Sequence, residues 1–174
     1  MKLLDCTLRD GGYYTLWDFP SQVVSAYIEA MNKLPIDYLE VGYRNNPSKE
    51  YLGEFGYSPV STLRRLRKDC CKKIVVMLNE KSTRLEDLDN LLKPIQGLVD
   101  MVRIAIDPKN FDRALVLAKE VKKQGFEVGL TPCICLSGTS TKDSLDKLRQ
   151  LDQVVDLFLG GLLRWGNSYR CEKF

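Results

Sequence analysis

Short apolar runs alternate with amphipathic segments along most of this chain. Strand-like apolar runs occupy residues 3–8, 38–42, 74–78, 101–106, 126–130 and 154–159. Between these runs, apolar residues recur at helical spacing, and helix-start signals precede several of the segments, at Pro20-Ser21, Ser58-Pro59 and Asp107-Pro108. This alternation of strand and helix predicts a parallel α/β fold.

Two parallel architectures fit that alternation, a (β/α)₈ barrel and an open doubly wound sheet. Gly11-Gly12 at the first strand–helix junction is not a G-x-G-x-x-G fingerprint, and no P-loop occurs, which disfavours a nucleotide-binding sheet. A barrel of this type usually needs about 250 residues and eight strands, whereas about six βα units can be counted in 174 residues. We therefore predict an incomplete TIM-type barrel over residues 1–159 and an irregular tail over residues 160–174.

Composition narrows the possible partners and chemistries. A net charge of +3 is too small for a protein built to bind a phosphate backbone, so we expect no nucleic-acid partner. No signal-peptide core and no apolar run of membrane-spanning length is visible, and the six cysteines are typical of reduced thiols, so we expect a cytoplasmic protein without a membrane partner. The chain contains no histidine, which removes the commonest general base and metal ligand.

The sharpest candidate chemistry follows the first predicted strand, at Arg9-Asp10. In parallel α/β folds, reactive residues gather at the carboxyl ends of the strands. A carboxylate there can ligate a divalent cation while the neighbouring guanidinium stabilises a developing oxyanion. The alternative is a surface ion pair followed by a diglycine turn.

Other polar residues at strand ends also have two interpretations. Tyr43 and Arg44 follow the second strand and either recognise a substrate carboxylate or form a surface turn. Arg103 lies inside an apolar run, so it either points into the barrel as part of the active site or caps a layer, and in both cases it needs a charged partner. Cys133 and Cys135 form a C-x-C pair that, without a second pair at zinc spacing, is typical of ordinary thiols.

Two segments carry a resemblance to a known superfamily. Thr7-Leu8-Arg9-Asp10-Gly11-Gly12, followed by Leu39-Glu40-Val41-Gly42, resembles the signature of the metal-dependent aldolases, lyases and Claisen condensing enzymes named for an Asp, an Arg and a Glu on a TIM barrel. Members include 4-hydroxy-2-oxovalerate aldolase and hydroxymethylglutaryl-CoA lyase. Val102-Arg103-Ile104-Ala105 is similar to the fourth-strand segment of the former, and the resemblance covers roughly residues 2–130.

The resemblance implies roles for individual residues. Asp10 matches the carboxylate ligand to Mg²⁺ or Mn²⁺, Arg9 matches the arginine that stabilises the enolate oxygen, and Glu40 matches the acidic residue that supports that arginine. Arg9 and Glu40 are then the candidate catalytic residues. From their positions at strand ends, and for Arg103 also from the resemblance, we expect Tyr43, Arg44 and Arg103 to be the substrate-binding residues. The implied reaction forms or cleaves a carbon–carbon bond next to a small 2-oxo acid such as pyruvate.

One departure from the superfamily pattern is equally informative. The superfamily completes its metal site with a His-x-His pair on the seventh strand, and this sequence contains no histidine. We interpret the chain as a truncated or frame-shifted aldolase; the alternative is a non-catalytic partial barrel that acts as a binding or assembly unit. Exposed strand edges of such a barrel would favour self-association.

The missing histidines generate the first testable prediction. With one carboxylate ligand left, metal affinity collapses, so the purified chain should show little or no aldolase activity with 2-oxo acid substrates in the presence of Mg²⁺ or Mn²⁺. A coupled assay for the released aldehyde measures this directly. Metal-dependent turnover by the purified chain would refute the prediction.

Overall fold

A computed structural model describes residues 2–106, 110–132, 154–158, 163–165 and 168–170 of the chain. Its strands are β1 (Leu4–Asp5), β2 (Tyr38–Tyr43), β3 (Lys73–Asn79), β4 (Met101–Ile106), β5 (Glu127–Pro132), β6 (Leu157–Phe158), β7 (Leu163–Trp165) and β8 (Ser168–Arg170). Its α-helices are α1 (Thr7–Thr15), α2 (Ser21–Lys33), α3 (Glu54–Tyr57), α4 (Val60–Asp69), α5 (Leu88–Leu92) and α6 (Phe111–Lys123). Short 3₁₀ turns at Leu85–Asp87 and Lys93–Ile95 flank α5.

The main sheet is parallel, and its strands lie side by side in sequence order, β1-β2-β3-β4-β5-β6. A doubly wound sheet reverses direction at a switch point and therefore has a non-sequential order. Sequential order with right-handed crossovers instead curls the sheet as in a barrel. The fold is thus α/β and forms a curled half-barrel, as in an incomplete TIM-like barrel. The count of six βα units stays a prediction, because residues 133–153 lie outside the described part of the chain.

The two faces of the sheet have different environments because side chains alternate along each strand. On the outer face, fully buried side chains pack with the helices in one large cluster that includes Leu39, Ile74, Leu78, Ile104 and Leu130. On the inner face, Tyr38, Val75 and Met101 form a separate, smaller cluster. Burial on both faces explains why these strands read as nearly continuous apolar runs.

The inner face begins, at the amino ends of the strands, with a polar layer. The Tyr38 hydroxyl donates to Oε2 of Glu127 at 2.8 Å and accepts from Nζ of Lys2 at 3.2 Å. Lys73 forms an ion pair with the same glutamate. Polar contacts at this end of a parallel barrel contribute stability rather than chemistry. Functional side chains are therefore expected at the carboxyl ends of the strands.

The opening of the chain differs from the sequence-based prediction. Residues 3–8 were predicted as a strand, but β1 ends at Asp5 and α1 begins at Thr7. The Asp5 carboxylate accepts hydrogen bonds from the backbone N–H of Thr7 at 2.9 Å and from its hydroxyl at 3.1 Å. An acidic side chain that binds free N–H groups at a helix start favours the helix over a continued strand.

The predicted strands over 38–42, 74–78, 101–106 and 126–130 are confirmed to within two residues at either end. The helices predicted after Pro20-Ser21 and Ser58-Pro59 are confirmed as α2 and α4. The predicted start at Asp107-Pro108, the helix predicted over 145–151 and the Cys133/Cys135 pair lie outside the described residues. Among the described residues, no helix has the length and apolar character needed to cross a membrane.

The division into a partial barrel over residues 1–159 and a tail over residues 160–174 stays a prediction. Within the described part of that tail, Leu163–Trp165 and Ser168–Arg170 pair as antiparallel strands.

A matched pair of leucines tests the packing of the outer face. Leu78 is fully buried between the sheet and the helices, whereas Leu85 is 52% exposed. Leu78→Ala should lower the free energy of unfolding by about 2–5 kcal/mol, because it removes buried methyl groups and leaves a cavity. Leu85→Ala should change it by less than about 0.5 kcal/mol. Urea titrations followed by circular dichroism measure both; equal losses would contradict the assigned burial.

Candidate functional site

Arg9 and Asp10 lie at the carboxyl end of β1, as predicted, but on helix α1 rather than in a turn. Gly11 and Gly12 continue the same helix, so the interpretation of a diglycine turn is wrong. The helix start at Thr7 turns Arg9 inward, and only 7% of the residue remains exposed. A helical location fixes the backbone of the pair more firmly than a loop does.

Arg9 is held on two sides by carboxylates. Its Nε donates to Oε1 of Glu40 at 2.5 Å, and its Nη1 forms an ion pair with Asp10. Burial by itself would lower the pKa of Arg9, but the charges of Glu40 and Asp10 and the hydrogen bond that Arg9 donates to Glu40 outweigh it and raise that pKa above its ordinary value. The guanidinium is therefore cationic at neutral pH.

Glu40 is shared between two arginines. No part of its side chain is exposed, and besides Arg9 it accepts two bonds from Arg103, one of them from Nη2 to Oε1 at 2.5 Å and the other from Nε to Oε2. Nη1 of Arg103 donates to the Thr131 hydroxyl at 2.8 Å. Glu40, Arg103 and Thr131 come from β2, β4 and β5, so the network crosses the inner face of the sheet.

Gly129 provides the space that this network needs. A side-chain carbon placed there would come within 3.1 Å of the Met101 sulfur and 3.2 Å of Cγ of Arg103. Even alanine at position 129 would require Met101 or the aliphatic stem of Arg103 to shift by a few tenths of an ångström. A glycine in this strand therefore marks a close approach of a functional side chain.

The charges of the network balance. Two guanidinium groups, Arg9 and Arg103, face two carboxylates, Glu40 and Asp10. Burying an ion costs several kcal/mol unless it is paired and hydrogen-bonded, and removal of one partner of such a pair typically costs about 3–5 kcal/mol. Both oxygens of Glu40 are paired, so the site tolerates a charge that is completely removed from water.

Asp10 is the open end of the network, because 40% of its side chain is exposed. Its Oδ2 accepts a hydrogen bond from the Cys6 thiol at 2.9 Å. Burial raises the pKa of the Cys6 thiol to about 12, and the hydrogen bond and negative charge of Asp10 act in the same direction. Cys6 is therefore a neutral donor to Asp10 at neutral pH.

Tyr43 borders the same region. Its hydroxyl lies 2.7 Å from the hydroxyl of Tyr13, and its ring packs edge-on against Trp17 with ring centroids 5.6 Å apart. Burial raises the pKa of Tyr43, and the hydrogen bond with Tyr13 raises it further. Tyr43 is thus a neutral hydrogen-bonding group near the guanidinium of Arg9.

Arg44 is not brought together with the other predicted residues. Its Nε donates to the Leu91 carbonyl at 2.8 Å, and its Nη1 donates to the carbonyls of Tyr57 and Ser58 at 3.3 and 3.2 Å. Burial lowers the pKa of Arg44. These contacts join the end of β2 to α3 and α5, so in this structure the guanidinium ties together the loops around the site.

The expected Mg²⁺ or Mn²⁺ can be tested against the donors present. A hard divalent cation prefers about six oxygen ligands, usually including more than one carboxylate. Among the described residues, no group of three or more His, Cys, Asp or Glu side chains could hold a metal ion. Asp10 is the carboxylate at the edge of the network, and both of its oxygens already have protein partners. The described residues alone therefore do not fit the metal.

Sequence reasoning missed four contributors to this region. Thr131 and Cys6 bind Arg103 and Asp10, and Tyr13 and Trp17 contact Tyr43. Thr131 could have been found from the strand alternation, because it lies two positions after Gly129 on the inner face. Trp17 offers no comparable signal, because its contacts depend on a backbone reversal after α1.

The Cys6–Asp10 contact generates a reactivity prediction. At pH 8 iodoacetamide should modify the exposed Cys71 well before Cys6, because a thiol of pKa about 12 carries almost no thiolate at that pH. Asp10→Asn removes the negative charge that disfavours the thiolate, so it should lower the pKa of Cys6 and accelerate its alkylation, by about three- to fivefold for each unit of pKa because a less basic thiolate is also less nucleophilic. Peptide mapping by mass spectrometry follows each cysteine separately.

The matched control for that experiment is Asp18→Asn, since Asp18 binds the Tyr51 hydroxyl at 2.8 Å and not Cys6. Its Cys6 alkylation rate should equal that of the unchanged protein. Alkylation of Cys6 as fast as that of Cys71, or a slower reaction in Asp10→Asn, would contradict the contact.

Solved structures of other proteins are similar to this chain. The chain is similar to the N-terminal domain of a "putative aldolase" from Bacteroides vulgatus, with 62% sequence identity and a TM-score of 0.88 over 92% of this chain. The match covers 54% of that solved structure, so the chain spans about half of its length. No protein-family profile matches the chain, and no curated protein sequence matches it either.

A second solved structure supports the fold. The carboxyl transferase domain of Rhizobium etli pyruvate carboxylase, solved with pyruvate and biocytin, matches 80% of this chain and 24% of its own length at a TM-score of 0.50. At 14% identity this likeness concerns the fold alone. The first comparison supports an aldolase-like superfamily, and the second supports the barrel-like fold.

Proposed function

We propose that this chain forms the first part of an aldolase-like barrel and that its network binds a small 2-oxo acid and stabilises the corresponding enolate. The observation that carries the proposal is Arg9, a buried guanidinium held by the fully buried Glu40 at the carboxyl end of β1. A fixed cation in a site shielded from water is the group that an enolate oxygen requires. The 62% identity to the Bacteroides vulgatus domain supports the reaction class.

The geometry supports a division of roles within the network. Within the described part of the chain, Nη2 of Arg9 has no hydrogen-bond partner, whereas Nε and Nη1 are occupied by Glu40 and Asp10. Glu40 orients the guanidinium, and Arg103 neutralises Glu40 so that the carboxylate can stay buried. An arginine oriented in this way can present its remaining donors to a carboxylate or an enolate oxygen without reorganisation.

The implied carbon–carbon chemistry balances as a retro-aldol cleavage. In a 4-hydroxy-2-oxo acid, water takes the proton of the 4-hydroxyl group, the electron pair of the C3–C4 bond moves towards the 2-oxo oxygen, and an aldehyde departs. The resulting enolate takes a proton at C3 to give the 2-oxo acid. In this scheme Arg9 stabilises the enolate oxygen. The Tyr43 phenol, which lies near Arg9, is a neutral hydrogen-bonding group.

Three further assignments remain predictions. Asp10 as a ligand to Mg²⁺ or Mn²⁺ needs additional ligands beyond the described residues. Arg103 as a substrate-binding residue competes with its two bonds to Glu40. Arg44 as a substrate-binding residue would have to leave the three carbonyls that it now binds.

Oxalate, a stable mimic of the pyruvate enolate, tests the binding step. Calorimetric titration of the chain should detect oxalate binding that Arg9→Lys weakens roughly 10- to 100-fold, because lysine keeps the charge but loses the fork and the bond to Glu40. Arg84→Lys is the matched control, since the Arg84 side chain is 76% exposed and pairs with Glu86 rather than with the network. Equal affinity in Arg9→Lys and Arg84→Lys would contradict the proposal.

A second measurement separates enolate stabilisation from binding alone. Exchange of the pyruvate methyl protons with D₂O, followed by NMR, reports enolisation without requiring an aldehyde. The proposal predicts faster exchange with the unchanged chain than with Arg9→Lys. Oxalate binding without any such difference would favour the non-catalytic binding unit.

A further inference from the structure

We propose that Trp17 is a positioning residue that holds Arg9 in place through the Arg9 backbone carbonyl. The indole Nε1–H donates to the carbonyl oxygen of Arg9 at 2.9 Å, although the two residues are eight positions apart. No sequence motif suggests this contact. Two measurements test this inference. Hydrogen exchange at Arg9 is measured in the ligand-free protein, and only the second measurement, oxalate binding, rests on the proposed function.

The indole also occupies space that only glycine leaves open on α1. A side-chain carbon at Gly12 would lie 2.0 Å from Cδ1 and 2.1 Å from Nε1 of Trp17. Gly11, the preceding helical residue, leaves ordinary room, since a carbon there would come no closer than 3.7 Å to Phe19. The ring is therefore pressed directly onto the helix turn that carries Arg9.

Trp17 packs against two tyrosines. Together, Tyr13, Trp17 and Tyr43 form what we call the aromatic triangle. The Tyr13 and Trp17 rings lie edge to face with centroids 4.8 Å apart, and Trp17 makes a similar contact with Tyr43 at 5.6 Å. The hydroxyl–hydroxyl contact of the two tyrosines closes the triangle at 2.7 Å. These contacts join α1 to the end of β2, the strand that carries Glu40.

The backbone around Trp17 adopts a costly conformation to achieve this placement. Leu16 and Trp17 have φ values of 54° and 57°, so two successive non-glycine residues are left-handed. Such residues persist only where surrounding contacts fix them. Here the Leu16 carbonyl accepts from Gly53 N–H at 2.7 Å and the Trp17 carbonyl accepts from Phe55 N–H at 3.3 Å.

These contacts define the role of Trp17. Asp10 and Glu40 direct the guanidinium end of Arg9, and the indole fixes its backbone end. With both ends fixed, the side chain has little freedom to leave Glu40. Loss of the indole N–H should therefore loosen the Arg9–Glu40 bond, although the indole donates its hydrogen bond to the Arg9 carbonyl and not to Asp10 or Glu40.

The first test measures the Nε–H proton of Arg9 by NMR in the ligand-free protein. Trp17→Phe keeps an aromatic ring but removes the donor, and Gly12→Ala keeps the tryptophan but displaces it. Both variants should speed hydrogen exchange of the Arg9 Nε–H, by about 5- to 10-fold for the loss of one hydrogen bond. Gly11→Ala is the matched control and should leave that exchange rate unchanged.

Unchanged exchange in both Trp17→Phe and Gly12→Ala would overturn the proposal, even if both variants are less stable. Global destabilisation would speed exchange at all slow sites alike, including the backbone amides of β3 and β4. A selective effect on Arg9 is therefore the signature that a merely structural role would not produce. If Trp17→Phe does not fold, the comparison of Gly12→Ala with Gly11→Ala decides.

The second test uses tryptophan fluorescence and oxalate. The chain has two tryptophans, so Trp165→Phe leaves Trp17 as the single reporter. Oxalate should change its emission, and Trp17→Phe should weaken oxalate binding about 3- to 10-fold in calorimetry. If oxalate does not bind the unchanged chain, the proposed function fails and the exchange result still stands. If oxalate binds equally well to Trp17→Phe, the positioning role fails.

Discussion

The structure of the site depends on one fully buried carboxylate. Glu40 can remain out of water only because Arg9 and Arg103 satisfy both of its oxygens, and each arginine in turn is buried only because Glu40 compensates its charge. The three side chains come from α1, β2 and β4, so a local requirement for charge compensation fixes the relative placement of three elements. Gly129 and Thr131 on β5 extend the same constraint to a fourth.

Much of the fold could be predicted from the sequence, because strands buried on both faces leave nearly continuous apolar runs. Residues 74–78 and 101–106 are examples, and both coincide with strands. The sequential sheet order followed only indirectly, from favouring a barrel over a doubly wound sheet, because nothing in one strand specifies its neighbour. The start of α1 was missed for a similar reason, since it depends on a hydrogen bond that the Thr7 N–H donates to Asp5 rather than on apolar spacing.

The site was predictable to a comparable degree. An arginine inside an apolar strand requires a partner, and this argument predicted correctly that Arg103 is paired. The identity of the partner was out of reach, because Glu40 is 63 positions away along the chain. Arg44 shows the opposite case. Its position after β2 was compatible with a substrate contact or a surface turn, but three backbone carbonyls lie within its reach, and local sequence gives no sign of them.

The early start of α1 has a consequence for the rim of the sheet. Since the helix begins at Thr7, the outermost strand β1 contains only Leu4 and Asp5 and pairs with β2 through that short stretch. A strand of two residues offers an incoming strand very few free backbone donors and acceptors, so it is a poor template for edge-to-edge growth. The β1 edge therefore contributes little to the self-association that exposed strand edges would otherwise favour.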